Sequence, residues 1–132
     1  MPAPAHLVLT FSPGNIHTFR SLDSTSPPQH ANVVGNVSGK VYRGLIGLRG
    51  QEATKMVAMK IARGQEQARL LYHEAQVYQT ELKHLQGTIV PKYYGTFVSR
   101  IEHNDVAVMV LEYCGNTPQQ MAMQQIPDDE YT

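Results

Sequence analysis

The chain has a single cysteine, Cys114, in 132 residues. One thiol excludes an intrachain disulfide and a cysteine-rich zinc site, and it fits a reducing compartment. An excess of charge is also lacking, since 11 Lys and Arg balance 11 Asp and Glu. With no basic stripe and no long acidic run, nucleic acid and anionic membrane surfaces have no electrostatic footprint here. The closing Asp128-Asp129-Glu130 reads as a short solvated end. His6, His17, His30, His73, His84 and His103 show no ligand spacing, so no metal site is expected. No apolar run approaches the ~20 residues that span a bilayer; the longest, Val106 to Leu111, is strand-sized. Met1-Pro2-Ala3-Pro4-Ala5 lacks basic residues and a long apolar core, unlike a signal peptide. A cytoplasmic or nuclear location is the simplest expectation. The length suits one domain with a real core.

Residues 1–30 differ in texture from the rest and read as an N-terminal extension. His6 to Phe11 and Ile16 to Arg20 are candidate strands around the turn Ser12-Pro13-Gly14-Asn15. Ser21 to His30, with Ser24, Ser26, Pro27 and Pro28, reads as an irregular linker. This region is expected to be poorly ordered or a loosely attached hairpin. The domain proper is placed at 31–116, followed by a short helix and tail at 117–132.

Within the domain, Ala31 to Val34, Lys40 to Leu48 and Thr54 to Ala62 have strand character. In the third, Met56, Ala58, Lys60 and Ala62 share one face, and Val57, Met59 and Ile61 share the other. Lys60 therefore lies between two small residues that leave space above its face. The spacing of Leu71, Ala75, Tyr78, Leu82 and Leu85 predicts a helix over 65–85, with Arg69, His73, Gln76, Gln79 and Lys83 on its wet side. Glu74 falls at the margin of the apolar stripe, where a half-drawn carboxylate wants a cation. Gln86-Gly87 supplies the stop. Two strands follow, Lys92 to Ile101 and Val106 to Glu112, around the polar turn Glu102 to Asp105; the unbroken apolar character of the second suggests a central, two-sided position. Thr117-Pro118-Gln119-Gln120 has helix-start chemistry, and Pro127 would stop that helix after about Gln125. Hairpins with one helix laid on them make an α+β domain, here a five-stranded antiparallel sheet with one long helix packed on it.

This order of elements and its local motifs resemble the N-terminal, ATP-binding lobe of the eukaryotic protein kinases over about residues 31–120. Gly35-Asn36-Val37-Ser38-Gly39-Lys40-Val41 is similar to the glycine-rich loop over the phosphates, though Val34 and Asn36 stand where the family has glycine. Glycine is needed there so that backbone amides can close on phosphate oxygens. Read alone, the same stretch is a two-glycine hairpin. Val57-Ala58-Met59-Lys60 resembles the family's V-A-I-K, and Glu74 matches the glutamate that holds the lysine against the phosphates. Val108-Met109-Val110-Leu111-Glu112-Tyr113-Cys114-Gly115 resembles the last strand and the hinge.

The resemblance implies that Gly35, Gly39 and Val41 cover the nucleotide and Ala58 forms part of the adenine roof. It implies that Lys60 contacts the α- and β-phosphates and Glu74 holds it there, with Leu111 behind the adenine and the backbone of Glu112 and Cys114 at its edge. The H-R-D-x-x-x-x-N and D-F-G motifs, which supply the base and the magnesium ligands, occur nowhere in the sequence. The expectation is therefore a truncated kinase or pseudokinase lobe with at most weak ATP binding and no turnover alone. Magnesium would bind only if a second chain supplied its ligands. The alternative is a non-catalytic interaction module, whose exposed inter-lobe face recruits a protein partner. A third reading is a shortened product with no function of its own.

Overall fold

Alternation along the strands decides what is covered and by what. In the computed structural model, which describes residues 6–22 and 27–114, strand β5 (Lys55–Arg63) buries Val57, Met59 and Ile61 on one side and Ala58, Lys60 and Ala62 on the other. Strand β7 (Asn104–Glu112) does the same, with Val106, Val108 and Val110 opposed to Ala107, Met109 and Leu111. Strands buried on both faces need two covers. One is a closed interior. The other is helix α1 (Gln65–Gln79), laid on the outer face over β5, β7 and β6 (Tyr93–Ile101).

The interior closes because the N-terminal hairpin completes the sheet. β1 (His6–Ser12) and β2 (Asn15–Ser21) join β3 (Gln29–Ser38) and β4 (Val41–Leu48) in a barrel of order β1-β2-β6-β7-β5-β4-β3, with β3 returning to β1. β2 pairs with β6 through Arg20↔Val98 and Ser21↔Phe97, and β1 runs parallel to β3 from Leu7↔Gln29 to Thr10↔Asn32. The expected five-stranded antiparallel sheet under one long helix is overturned: seven strands close on themselves, and one of their pairings is parallel.

The expected loose extension is corrected as well. Leu7, Leu9 and Phe19 are 0% exposed and sit in the interior cluster with Val57, Met59 and Val108. Full burial of such a side chain is worth about 1.5–3 kcal/mol, so three of them bind the hairpin firmly. A boundary at residue 30 would cut through β3. The expected helix after Thr117 lies outside the described residues.

A barrel this narrow is filled by its own side chains. Gly44 shows how tightly: a Cβ there would lie 2.1 Å from the Met59 Cε and 2.9 Å from the Asn32 carbonyl oxygen. The glycine is the room that Met59 occupies.

The helix is shorter than its apolar stripe suggests. It ends at Gln79, and Lys83–Leu85 forms a separate 3-10 turn. Thr80 donates its hydroxyl to the Gln76 carbonyl at 2.8 Å, and the Leu82 amide reaches back to the Val77 carbonyl at 2.9 Å, which unwinds the last turn. A threonine that bonds its own backbone offers the chain this alternative to the helix. At the other end Gly64, at φ 94°, donates to the Asp105 carbonyl at 2.7 Å and ties the helix start to β7. The Glu102–His103 turn between β6 and β7 has φ of 51° and 69°, the double positive φ of a type I′ hairpin.

Candidate functional site

Lys60 sits in the middle of β5, opposite Val41 on one side and Met109 on the other. Its side chain points outward, toward α1. The helix is held in a fixed position there. Tyr78 stacks on Tyr93 of β6 with centroids 6.0 Å apart and planes 22° from parallel. Gln86 completes the clamp by donating to the Tyr78 carbonyl at 2.7 Å while its own Oε1 accepts from the Tyr93 amide at 2.9 Å. The clamp sets Glu74 above β5.

Lys60 Nζ lies 3.0 Å from Glu74 Oε1, and the two side chains are 6% and 3% exposed. A charged pair so deeply removed from water carries a desolvation cost that its Coulomb attraction only repays with good geometry. Apolar residues of the same size would hold a helix on a sheet at less cost. The pair is thus weak as a stability device and fits better as a positioned cation.

Register brings several of the expected residues to this face. Val41 is opposite Lys60, and Ala58 is flanked by Arg43 and Leu111. Val41, Ala58 and Leu111 belong to the same outer cluster and are 1–2% exposed. The space expected above Lys60 is filled: Ala62 packs with Ala68 and Leu71 of the helix side, and Lys60 itself is 5% exposed. A ligand would reach the ammonium only by displacing side chains.

The glycine-rich segment adopts the plain hairpin reading. β3 and β4 pair as far as Ser38↔Val41, leaving the two-residue loop Gly39-Lys40 with Gly39 at φ 52°. Asn36 Nδ2 donates to the carbonyls of Gly39 at 3.0 Å and Val41 at 3.2 Å, closing the tip on itself. Gly39 borders a depression with Tyr42 and Ile61, away from the Lys60 face. Gly35 stands at a bulge opposite Arg43, where a Cβ would meet Nη2 at 3.5 Å.

At the far end of β7, the Glu112 amide donates to the Lys92 carbonyl at 2.9 Å, and its Oε1 accepts from the Lys92 amide at 3.2 Å. Cys114 Sγ lies 3.7 Å from the Glu112 carbonyl oxygen. Burial, and then the Glu112 carboxylate, push the Cys114 thiol above its ordinary range, so it is not an activated nucleophile. Among the described residues no three His, Cys, Asp or Glu side chains cluster to hold a metal ion.

Arg43 is the residue that motif reading passed over. It shares the outward face with Val41 and Ala58, and its Nε is buried without a hydrogen-bond partner among the described residues. The signal was alternation alone, two positions after Val41. No helix of the described residues is long and apolar enough to cross a membrane. No protein-family model matches the chain, and comparison with curated proteins finds no match.

Proposed function

We propose that this chain carries a protein-kinase-like nucleotide half-site on a closed barrel, with weak ATP binding and no phosphoryl transfer of its own. The observation that supports it is the buried Lys60–Glu74 pair at 3.0 Å, seated beside Ala58 and Leu111. The resemblance rests on the segments Val57–Lys60, Glu74 and Val108–Gly115, and no longer on the sheet. Lys60 would meet phosphate oxygens, with Glu74 fixing the ammonium. Ala58, Val41 and Leu111 would line the base. Arg43 narrows that space, and the self-closed Gly39 tip offers little to the phosphates, so affinity would be low. Magnesium would require ligands from a second chain. The cytoplasm or nucleus, where ATP is plentiful, is the compartment this reading implies.

A second reading, a non-catalytic module that docks a protein partner, draws on a different observation. Met56 continues the Ala58–Lys60 face along β5 and is 38% exposed, and nearby β3 leaves Val34 51% exposed. Apolar side chains at the edge of a face suit a contact better than a cofactor.

Thermal unfolding with and without ATP and magnesium, beside a Lys60→Ala control checked for folding, separates the two. At ATP ten times above Kd, mass action adds about 1.4 kcal/mol, or roughly 5 °C for a domain this size. A dose-dependent rise absent from the control supports the half-site. A cooperative melt that ATP leaves unmoved contradicts it and favours the contact module.

A further inference from the structure

Away from the Lys60 face, α1 and the strands β2, β6 and β7 enclose a shallow polar cavity of about 380 Å³, lined by Arg20, Tyr72, Val98, Ser99, Arg100 and Asp105. Arg20 lies opposite Val98 across the β2–β6 pair, and Arg100 is two residues further along the same face of β6. Two guanidinium groups thus stand as diagonal neighbours, a spacing of roughly 7–8 Å between backbones. Like charges so placed repel. Neither guanidinium group has a hydrogen bond or ion pair among the described residues. Asp105 is directly opposite Arg100 but forms no ion pair with it, leaving the cavity one positive charge in excess.

We propose that this cavity is a binding site for a phosphate group, held between Arg20 and Arg100 with the Tyr72 hydroxyl as a third donor. Two planar forks on either side of a tetrahedral dianion can each offer paired N–H groups to its oxygens. Burial and the neighbouring Asp105 raise the Tyr72 pKa, against a smaller opposing effect of Arg20, so the phenol keeps its proton and can donate. The Ser99 hydroxyl already donates to the Thr18 carbonyl at 2.9 Å and serves the frame instead. Val98 forms an apolar floor. Asp105 is the one unfavourable element, since its carboxylate repels an anion, and the two guanidinium groups outweigh it. The ligand chemistry is shared by inorganic phosphate and by a phosphorylated side chain on a peptide.

The test is calorimetric titration of the full chain with inorganic phosphate, with a phosphoserine tetrapeptide and with its unphosphorylated counterpart. Saturable binding to one site is expected, weakened about tenfold by Arg20→Gln or Arg100→Gln, since each removes a charged hydrogen bond. Both arginines are exposed, so the melting temperature should hold. Asp105→Asn should tighten binding of the dianion about sevenfold by removing one repelling charge at ~7 Å in water, an effect that a merely structural residue would not produce. The Lys60→Met/Glu74→Leu double variant should leave this phosphate binding unchanged, which keeps it distinct from the nucleotide half-site. Tighter binding of the phosphopeptide than of phosphate, with the unphosphorylated peptide silent, assigns the site to phosphorylated chains; equal binding assigns it to the free anion. No saturable binding at millimolar phosphate, or binding untouched by the Arg20→Gln/Arg100→Gln double variant, overturns the proposal.

Discussion

Removing one member of the buried Lys60–Glu74 pair should harm the fold far more than removing both. At 3.0 Å, the attraction is about 5–6 kcal/mol with an effective dielectric near 20. Desolvation of two side chains only 6% and 3% exposed consumes most of that. Lys60→Met takes the cation at 3.0 Å away from the buried Glu74 carboxylate, and Glu74→Leu takes that carboxylate away from the ammonium. Each single change should cost about 3–5 kcal/mol, whereas the double change should fall within about 1 kcal/mol of the parent or exceed it. Urea unfolding of the four proteins, followed by far-ultraviolet dichroism, gives the coupling energy directly if the slopes agree. Against a total stability of roughly 5–15 kcal/mol, a loss of this size moves the urea midpoint far toward zero, and a variant without any folded baseline counts as a loss at the upper end. Single variants that each cost less than about 1 kcal/mol would refute the reasoning, because the charges would then not depend on one another.

Three further outcomes follow from packing and titration. Phe19→Ala should cost about 3–5 kcal/mol, because Phe19 is wholly buried in the barrel; a loss below 0.5 kcal/mol in the same urea assay would mean that the hairpin is not part of the core. Gln86→Ala removes both bonds that clamp α1 to β6 and should cost about 1–3 kcal/mol, with faster hydrogen exchange at Tyr93 than in the parent. The pKa values of Cys114 and Tyr72 are raised in the folded chain, so the unfolded chain loses those protons first. Their contribution is present below the ordinary thiol value of 9.0 and declines as pH rises through it, then through the tyrosine value of 10.0. The urea midpoint should therefore fall from pH 8.5 upward, and Cys114→Ala with Tyr72→Phe should flatten that fall.

Local patterns carried much of this into view. Period-two alternation separated Val57, Met59 and Ile61 from Ala58, Lys60 and Ala62, and the two buried clusters divide along that line. The marginal place of Glu74 on the helical stripe anticipated its contact with Lys60. Closure of the barrel was not legible, because it depends on partners distant in sequence: Leu7 with Gln29, and Arg20 with Val98. Nothing in a short alternating strand says which edge it will join. The helix end was missed for a local reason, since Leu82 and Leu85 keep the spacing while Thr80 breaks the backbone pattern. The glycine segment held both readings, and Asn36 decided it by capping the hairpin tip with its own side chain. Arg20, Tyr72 and Arg100 come from three elements and carry no motif, so only the fold gathers them.

Lys60 as a nucleotide contact is the central proposal. Amide chemical-shift mapping of the isotope-labelled full chain during ATP titration tests that most directly, since it reports where the ligand lands. Saturable shifts should centre on Ala58, Lys60 and Leu111 and be lost when Lys60 and Glu74 are replaced together by Met and Leu. Shifts confined to the Arg20–Arg100 cavity, or none at millimolar ATP, would contradict it.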